Sequence, residues 1–330
     1  HTAMHRSATN ENPRSRRKAP DHPQSQFVRV VEHGCSSQPR AALSEGLRRF
    51  GLRVLSQFVP EHSLRIARER AIPKAPLAER TLPGASRRNI EHRGRPIAVH
   101  EWGEPGRPRI LLAHDWTGDS AAFAHWILPL VNEGYAVTAF DQPGRGESVG
   151  SSMPCDFVDS LRAVAMTMEP IDAIIAHGHG ALAATLLLAE HPVAARVVLI
   201  APPADPYASV VRFARNLGLS DGLAKRFAGI DQDSFAGGQP PLSPPRMATA
   251  IGCSALIVHD LCDQVVPSIE GESYARHWRG SRMLTTTGLS HESIVASTHV
   301  IESTLQFLRG DQVGDRVIAS PEIDSLLGLH

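Results

Sequence analysis

The stretch "IDAIIAHGHGALAATLLLAEHP", residues 171–192, decides how the rest of the chain is read. Ile171 to His177 is an apolar run of strand length, the glycines at 178 and 180 make a tight turn, and an Ala/Leu segment of helical length runs on to His191-Pro192. A buried strand that passes through a glycine turn directly into a helix is the local form in which G-x-S-x-G presents a serine on a sharp elbow. Here the five positions are Ala176, His177, Gly178, His179 and Gly180, so the place of the hydroxyl carries no side chain.

Outward from this elbow the pattern alternates between strands and helices, which predicts an α/β fold with a mainly parallel central sheet. Upstream, "PIAVHEWG", "RILLAHDW" and "AVTAFDQPG" read as strands, while "SAAFAHWILPLVNEG" and "CDFVDSLRAVAMTM" read as helices. Downstream come the strands "ARVVLIAPP" and "CSALIVHDLCD", a helix over 268–279, a strand over 282–287 and a closing helix from Ser293 to Leu308. Between 203 and 252 the alternation lapses into a segment holding Phe213, Leu217, Phe227 and Phe235 and the loop "GGQPPLSPP". An insertion after a core strand, helical and moderately apolar, predicts a short helical lid over the carboxyl ends of the strands.

Residues 1–40 are rich in Pro, Ser, Arg and His without periodicity and read as a flexible basic arm, with "HTA" at 1–3 as a tag remnant before Met4. Residues 41–87 form an N-terminal helical extension and linker: apolar residues at helical spacing (Leu43, Leu47, Phe50, Val54, Phe58) are interrupted at Pro60, which predicts two short amphipathic helices packed on the main domain. The main domain is expected over 88–310, with a C-terminal tail at 311–330.

Several separated motifs fall in the order found in the α/β-hydrolase-fold family, and over roughly residues 88–310 the chain resembles a bacterial serine-hydrolase-like group within it. "LLAHDWTG" is similar to the family's oxyanion segment, "FDQPGRGES" to its D-x-x-G-x-G-x-S turn, "HDLCDQVVP" to the loop that supplies the acid and "GLSHES" to the loop that supplies the histidine. The resemblance implies a nucleophile–acid–histidine triad in that chain order. Carried over, Asp263 is the acid, with Asp205 or Asp260 as substitutes, His291 is the base, and the nucleophile position is Gly178. The resemblance also implies an oxyanion hole of backbone donors, the N–H groups of Trp116 and His179, which is expected to survive loss of the serine. Asp115 stands where the family has glycine and is read as facing solvent, with repulsion of an oxyanion or binding of a cationic substrate group as alternatives. Asp115, Phe213 and Phe227 are the candidate substrate contacts. Without a side chain at 178, a small gap for a water or a substrate atom is expected beside His291.

Composition narrows the partners. Lys+Arg and Asp+Glu balance at 34 each in 330 residues, with 42% hydrophobic residues, which favours a small-molecule substrate over nucleic acid. No apolar run reaches the ~18 residues that span a bilayer, so stable membrane insertion is not expected. Four cysteines without C-x-x-C spacing are expected as free thiols, and the cytoplasm is the expected compartment. Despite 17 histidines, no spacing suits a metal, and no nucleotide motif is present, so neither metal nor other cofactor is expected. The amphipathic helices leave room for a homodimer. Arg212, Arg215, Lys225 and Arg226 are candidates to meet a substrate carboxylate but read first as solvated helix-surface cations.

Three functions fit. The first is an enzyme that needs no serine, with His291–Asp263 as general base and a backbone oxyanion hole serving proton abstraction, lyase, isomerase or cyclisation chemistry or slow hydrolysis of a small, partly apolar carbonyl or ester-like substrate. The second is an ester, thioester or amide hydrolase inactivated by Ser-to-Gly at 178. The third is a non-catalytic ligand-binding relative. Retention of both Asp263 and His291 favours the first.

Overall fold

The computed structural model describes residues 39–71, 83–150, 156–168, 170–229 and 243–317, with backbone alone for 39–47. Nearly all of the expected arm, residues 1–38, lies outside the described residues. The same holds for 72–82 in the expected linker, 230–242 in the expected lid and 318–330 in the expected tail.

Among the described residues, eight strands form one sheet: β1 (Ser86–His92), β2 (Arg95–Trp102), β3 (Arg109–Ala113), β4 (Ala136–Phe140), β5 (Ile171–His177), β6 (Ala194–Ile200), β7 (Ser254–Asp260) and β8 (Arg282–Thr286). Their order is β1-β2-β4-β3-β5-β6-β7-β8, with β1 and β2 antiparallel to their neighbours and the rest parallel. Strand β1 is absent from the sequence reading because "SRRNIEH" lacks an apolar alternation; it is an exposed edge. It forms by hairpin closure, with Arg93 (φ 50°) and Gly94 (φ 72°) both in the left-handed region that a two-residue turn with matching twist requires.

The near-continuous apolar runs of the central strands follow from burial on both faces. Successive side chains point to opposite sides, so Leu111, Ile174, Leu199 and Ile257 join one core, and Ile110, Leu112, Ile175, Val198 and Leu256 the other. The first is covered by α4 (Phe157–Ala165), α5 (His179–Glu190) and α9 (Ser268–His277), and the second by α3 (Ala124–Asn132) and α10 (Thr298–Arg309). Trp126 of α3 lies fully inside, its indole N–H donating to the Val295 carbonyl at 2.6 Å.

The segment after β6 folds as α6 (Pro206–Asn216), α7 (Asp221–Phe227) and α8 (Pro244–Met247). The N-terminal extension, α1 (Pro39–Phe58) and α2 (Pro60–Ala71), packs on this layer: Arg226 of α7 binds Glu61 at 2.7 Å, and a Cβ at Gly218 would lie 2.4 Å from the Arg49 carbonyl. Past α10 the chain returns to β8, where Asp315 and Met283 exchange backbone hydrogen bonds of 2.8 Å.

The turn after β4 braces the loop after β3. Burial pushes the Asp141 carboxyl up, but the His100 ring 3.4 Å away and the N–H groups of Glu147 (2.8 Å) and Ser120 (2.9 Å), which it accepts, bring it down to about 2. Within the same turn, Gln142 N–H donates to His114 Nε2 at 3.0 Å and Arg145 Nε–H to the Trp116 carbonyl at 2.5 Å. From the other side, Gly180 lets the start of α5 press against the end of β3, where a Cβ would lie 2.5 Å from the carbonyls of Ala113 and His114. Gly180→Ala is therefore expected to destabilise the fold by about 1–3 kcal/mol through overpacking against rigid backbone, read as a lower urea midpoint at unchanged slope.

Candidate active site

Strands β3 and β5 are parallel neighbours with Ala113 opposite Ala176. Two residues further along each strand stand Asp115 and Gly178, so the register alone sets them side by side across the ~4.8 Å spacing of paired strands. Beyond both strand ends lies the crevice where open α/β sheets bind ligands. Gly178 has φ 54° and ψ −123°, the sharp elbow expected from the sequence, in a region that strains any residue with a Cβ.

Gly178 is the N-cap of α5 and has no side chain to offer. Asp115 fills that role from the neighbouring strand: its Oδ1 accepts the His179 backbone N–H at 2.7 Å and the His179 ring Nδ1–H at 2.9 Å. A carboxylate is stabilised there by the unpaired N–H groups and dipole of a helix start. Its other oxygen, Oδ2, accepts Thr117 Oγ1–H at 3.2 Å and faces His291 Nε2 at 3.7 Å.

His291 comes from the loop after β8 and Asp263 from the loop after β7. The His291 Nδ1–H donates to Asp263 Oδ2 at 2.7 Å, and Asp263 Oδ1 accepts the N–H groups of Val265 (2.8 Å) and Val266 (2.9 Å). The imidazole thus lies between two carboxylates, hydrogen-bonded to Asp263 and ion-paired with Asp115, while its buried Nε2 has no hydrogen-bond partner. Burial opposes its charge, but the two carboxylates outweigh burial and push its pKa up to about 10. Burial raises the acids in turn, yet His179 and His291 hold Asp115 well below the usual range, and His291 with the loop N–H groups lowers Asp263. His177 donates Nε2–H to the His291 carbonyl at 2.9 Å with its ring 4.6 Å from that of His291; burial and the neighbouring cation push it down to about 3, so it stays neutral.

These positions correct three expectations. Asp115 does not face solvent: it is buried, because the elbow turn offers it donors that water would otherwise supply. For the same reason, the gap expected beside His291 and the His179 N–H expected to stand free for an oxyanion are both taken by the Asp115 carboxylate. A Cβ on Gly178 would lie 2.1 Å from Asp115 Oδ1 and 2.4 Å from its Cγ.

The other predicted residues divide. Trp116 is buried, with its ring 4.8 Å from Phe213 and 6.3 Å from Phe227. Phe213 lines the smaller of two cavities at the site, about 210 Å³, together with Asp115, Trp116, His179, Ser209 and His291. Phe227 stands behind Trp116. A larger cavity of about 630 Å³ opens on the other side of Asp115, between Ala121, His125, His177, Glu292 and Val295. The substitute acids are used elsewhere: Asp205 caps α6, and Asp260 accepts Cys262 N–H and Thr286 Oγ1–H. Arg212, Arg215 and Arg226 pair with Glu270, Asp221 and Glu61.

Sequence reasoning passed over Thr117, Arg145 and Ser209, whose hydroxyl meets His179 Nε2. Thr117 and Arg145 lie inside quoted motifs and are within reach of the sequence; Ser209, on α6, carries no local signal. Among the described residues, no group of three or more His, Cys, Asp or Glu side chains is placed to hold a metal ion, and no helix is long and apolar enough to cross a membrane.

Residues 110–300 match the family model described as alpha/beta hydrolase family. The chain belongs to the alpha/beta hydrolase family. One curated relative is Epoxide hydrolase A of Mycobacterium tuberculosis, 33% identical over 135 residues, a stretch that covers 37% of this chain and 40% of that protein. The matched region is thus less than half the length of either. Among solved structures, an enol-lactonase from Burkholderia xenovorans is similar at a TM-score of 0.53, with 16% identity, 68% of this chain and 100% of that one covered. An esterase from Exiguobacterium antarcticum matches at 0.53, with 15% identity and 67% and 98% covered. At such identities these structures speak to the fold.

Since Asp115 helps keep His291 charged, Asp115→Asn is expected to lower the His291 pKa, followed by NMR titration of the imidazole. The sign for stability follows from a folded pKa near 10 against an ordinary value of 6.5: the contribution is complete below 6.5 and is lost as pH rises through about 10. Urea midpoints across that window should fall less steeply for Asp115→Asn than for the unchanged chain.

Proposed function

We propose that this family member is an enzyme that hydrolyses, or adds water to, a small and partly apolar substrate without a serine acyl-enzyme, with the His291–Asp263 pair carrying the proton. The supporting observation is the 2.7 Å bond from His291 Nδ1–H to Asp263, which leaves the opposite ring nitrogen buried, without a hydrogen bond and 3.7 Å from Asp115 Oδ2 beyond the strand ends. General acid–base catalysis needs such a group within reach of substrate and oriented by a second one. The two cavities that meet at Asp115 suit a compact substrate with an apolar part.

Simple loss of a serine from an otherwise intact hydrolase accounts less well for Asp115, whose carboxylate fills the volume that a serine side chain needs. A pure binding protein gives no reason for a charged imidazole between two carboxylates. Relatives named as an epoxide hydrolase, an enol-lactonase and an esterase supply the first substrates to try: epoxides, lactones and short-chain esters.

On whichever of these turns over, His291→Gln is expected to lower kcat on the order of 10²–10⁴-fold, measured at fixed pH with folding checked by circular dichroism. A fluorophosphonate probe should leave the unchanged chain unlabelled. Gly178→Ser alone should label poorly, and Gly178→Ser combined with Asp115→Gly should label readily. Labelling of the unchanged chain would overturn the serine-free reading.

A further inference from the structure

Once His291 and Asp263 carry the proton, the position and polarity of Asp115 remain to be explained. Its carboxylate begins where an elbow side chain would begin, within 2.1 Å of an ideal Gly178 Cβ. Its two oxygens are unequal. Oδ1 is held by both N–H groups of His179, at 2.7 and 2.9 Å, whereas Oδ2 has Thr117 at 3.2 Å and His291 Nε2 at 3.7 Å. A carboxylate that served only to cap α5 would account for Oδ1. It would not account for a second oxygen turned toward a buried imidazole nitrogen that lacks a hydrogen bond, at the junction of two cavities.

Resting on the serine-free hydrolase reading, we infer that Asp115 is the covalent nucleophile, moved from the elbow to the loop after the neighbouring strand, and that its Oδ2 forms an ester with a saturated, electrophilic carbon of the substrate. The chemistry selects that substrate class. Attack of a carboxylate on an acyl carbon would give a reactive mixed anhydride, whereas attack on a saturated carbon gives an ordinary ester that awaits hydrolysis. A strained ring such as an epoxide provides both the electrophilic carbon and a leaving oxygen that stays attached to the product.

The steps balance. An Oδ2 lone pair forms the new C–O bond while a ring C–O bond breaks; its electron pair passes to the ring oxygen, which takes a proton from water and leaves a hydroxide. Esterification removes the negative charge of Asp115, one of the two charges that keep His291 protonated. His291 then releases its extra proton, matching the one the ring oxygen gained, and becomes a neutral base. Its Nε2 takes a proton from a water that attacks the Asp115 carboxyl carbon. The resulting oxyanion is the former Oδ1, already on the His179 N–H groups, so the hole acts on the enzyme's own ester. Collapse breaks the bond between the carboxyl carbon and the former Oδ2, which departs with the product and takes the proton from His291. The new Asp115 carboxyl returns its proton to His291, restoring the resting charges. The sum is substrate plus water giving a diol, with one oxygen of Asp115 exchanged for one from water in each turnover.

The first test is a single turnover with enzyme in excess over styrene oxide or propylene oxide, in water labelled with heavy oxygen, followed by peptide mass spectrometry. The expected result is one heavy oxygen on Asp115 and none in the first-turnover diol. The second uses His291→Gln, in which ester hydrolysis lacks its base: the same epoxides should leave one stoichiometric adduct on the Asp115 peptide, absent when Asp115→Asn is added. Turnover with the label in the diol and no label or adduct on Asp115 would overturn the inference and leave the serine-free hydrolase standing. Turnover of esters or lactones but not of epoxides, with Asp115 unlabelled, would do the same. If the folded chain turns over none of these substrates and forms no adduct, the inference and the hydrolase reading both fall.

Discussion

The site depends on one constraint: two parallel strands whose register sets Asp115 beside Gly178 at the top of the sheet. A charge in a buried site is costly unless donors replace the water it has lost. The donors here are the start of α5, the His179 ring and the Thr117 hydroxyl, and the space for the carboxylate exists because residue 178 has no Cβ. Gly178 therefore serves twice. It adopts the elbow conformation without strain, and it makes room for a neighbouring strand's side chain.

The surrounding structure keeps this arrangement in place. Arg145 grips the Trp116 carbonyl and Gln142 binds His114, so residues on both sides of Asp115 are tied to the turn after β4. Asp141, bound to two backbone N–H groups, keeps that turn closed. Phe213 of α6 and Phe227 of α7 pack against Trp116, and the N-terminal helices brace α6 and α7 from outside through Glu61 and the close approach at Gly218. Such support fixes the distances between Asp115, His179 and His291, which loops alone would leave loose.

In a serine elbow, one side chain supplies the nucleophile and an unoccupied hole awaits its product oxyanion. Here one carboxylate accepts the N–H groups at the elbow and faces the His291 imidazole at once, and together with Asp263 it favours the charged form of that imidazole. The charge on His291 and the charge on Asp115 are coupled, so an event that neutralises one changes the readiness of the other. The alpha/beta hydrolase sheet tolerates such rearrangement because its chemistry stands on loops at the strand ends, while the core beneath is set by strand alternation alone.

Much of this was legible in the amino-acid order. The apolar runs near 110, 137, 174, 198 and 256 specify central strands, the glycine turn at 178 specifies the elbow, and the loops after the last two strands present Asp263 and His291. These are local signals, carried by periodicity and by glycines whose backbone angles other residues avoid. Strand β1 was not legible, since a polar edge is defined by its partner and not by its own pattern. The position of Asp115 was hidden for a deeper reason. Residues 115 and 178 are 63 positions apart, and no local rule says that the side chain of one fills the space left by the other. Sequence alone determined that the elbow has no hydroxyl; only the pairing of β3 with β5 decided what stands in its place, because parallel register is set by packing across the whole sheet.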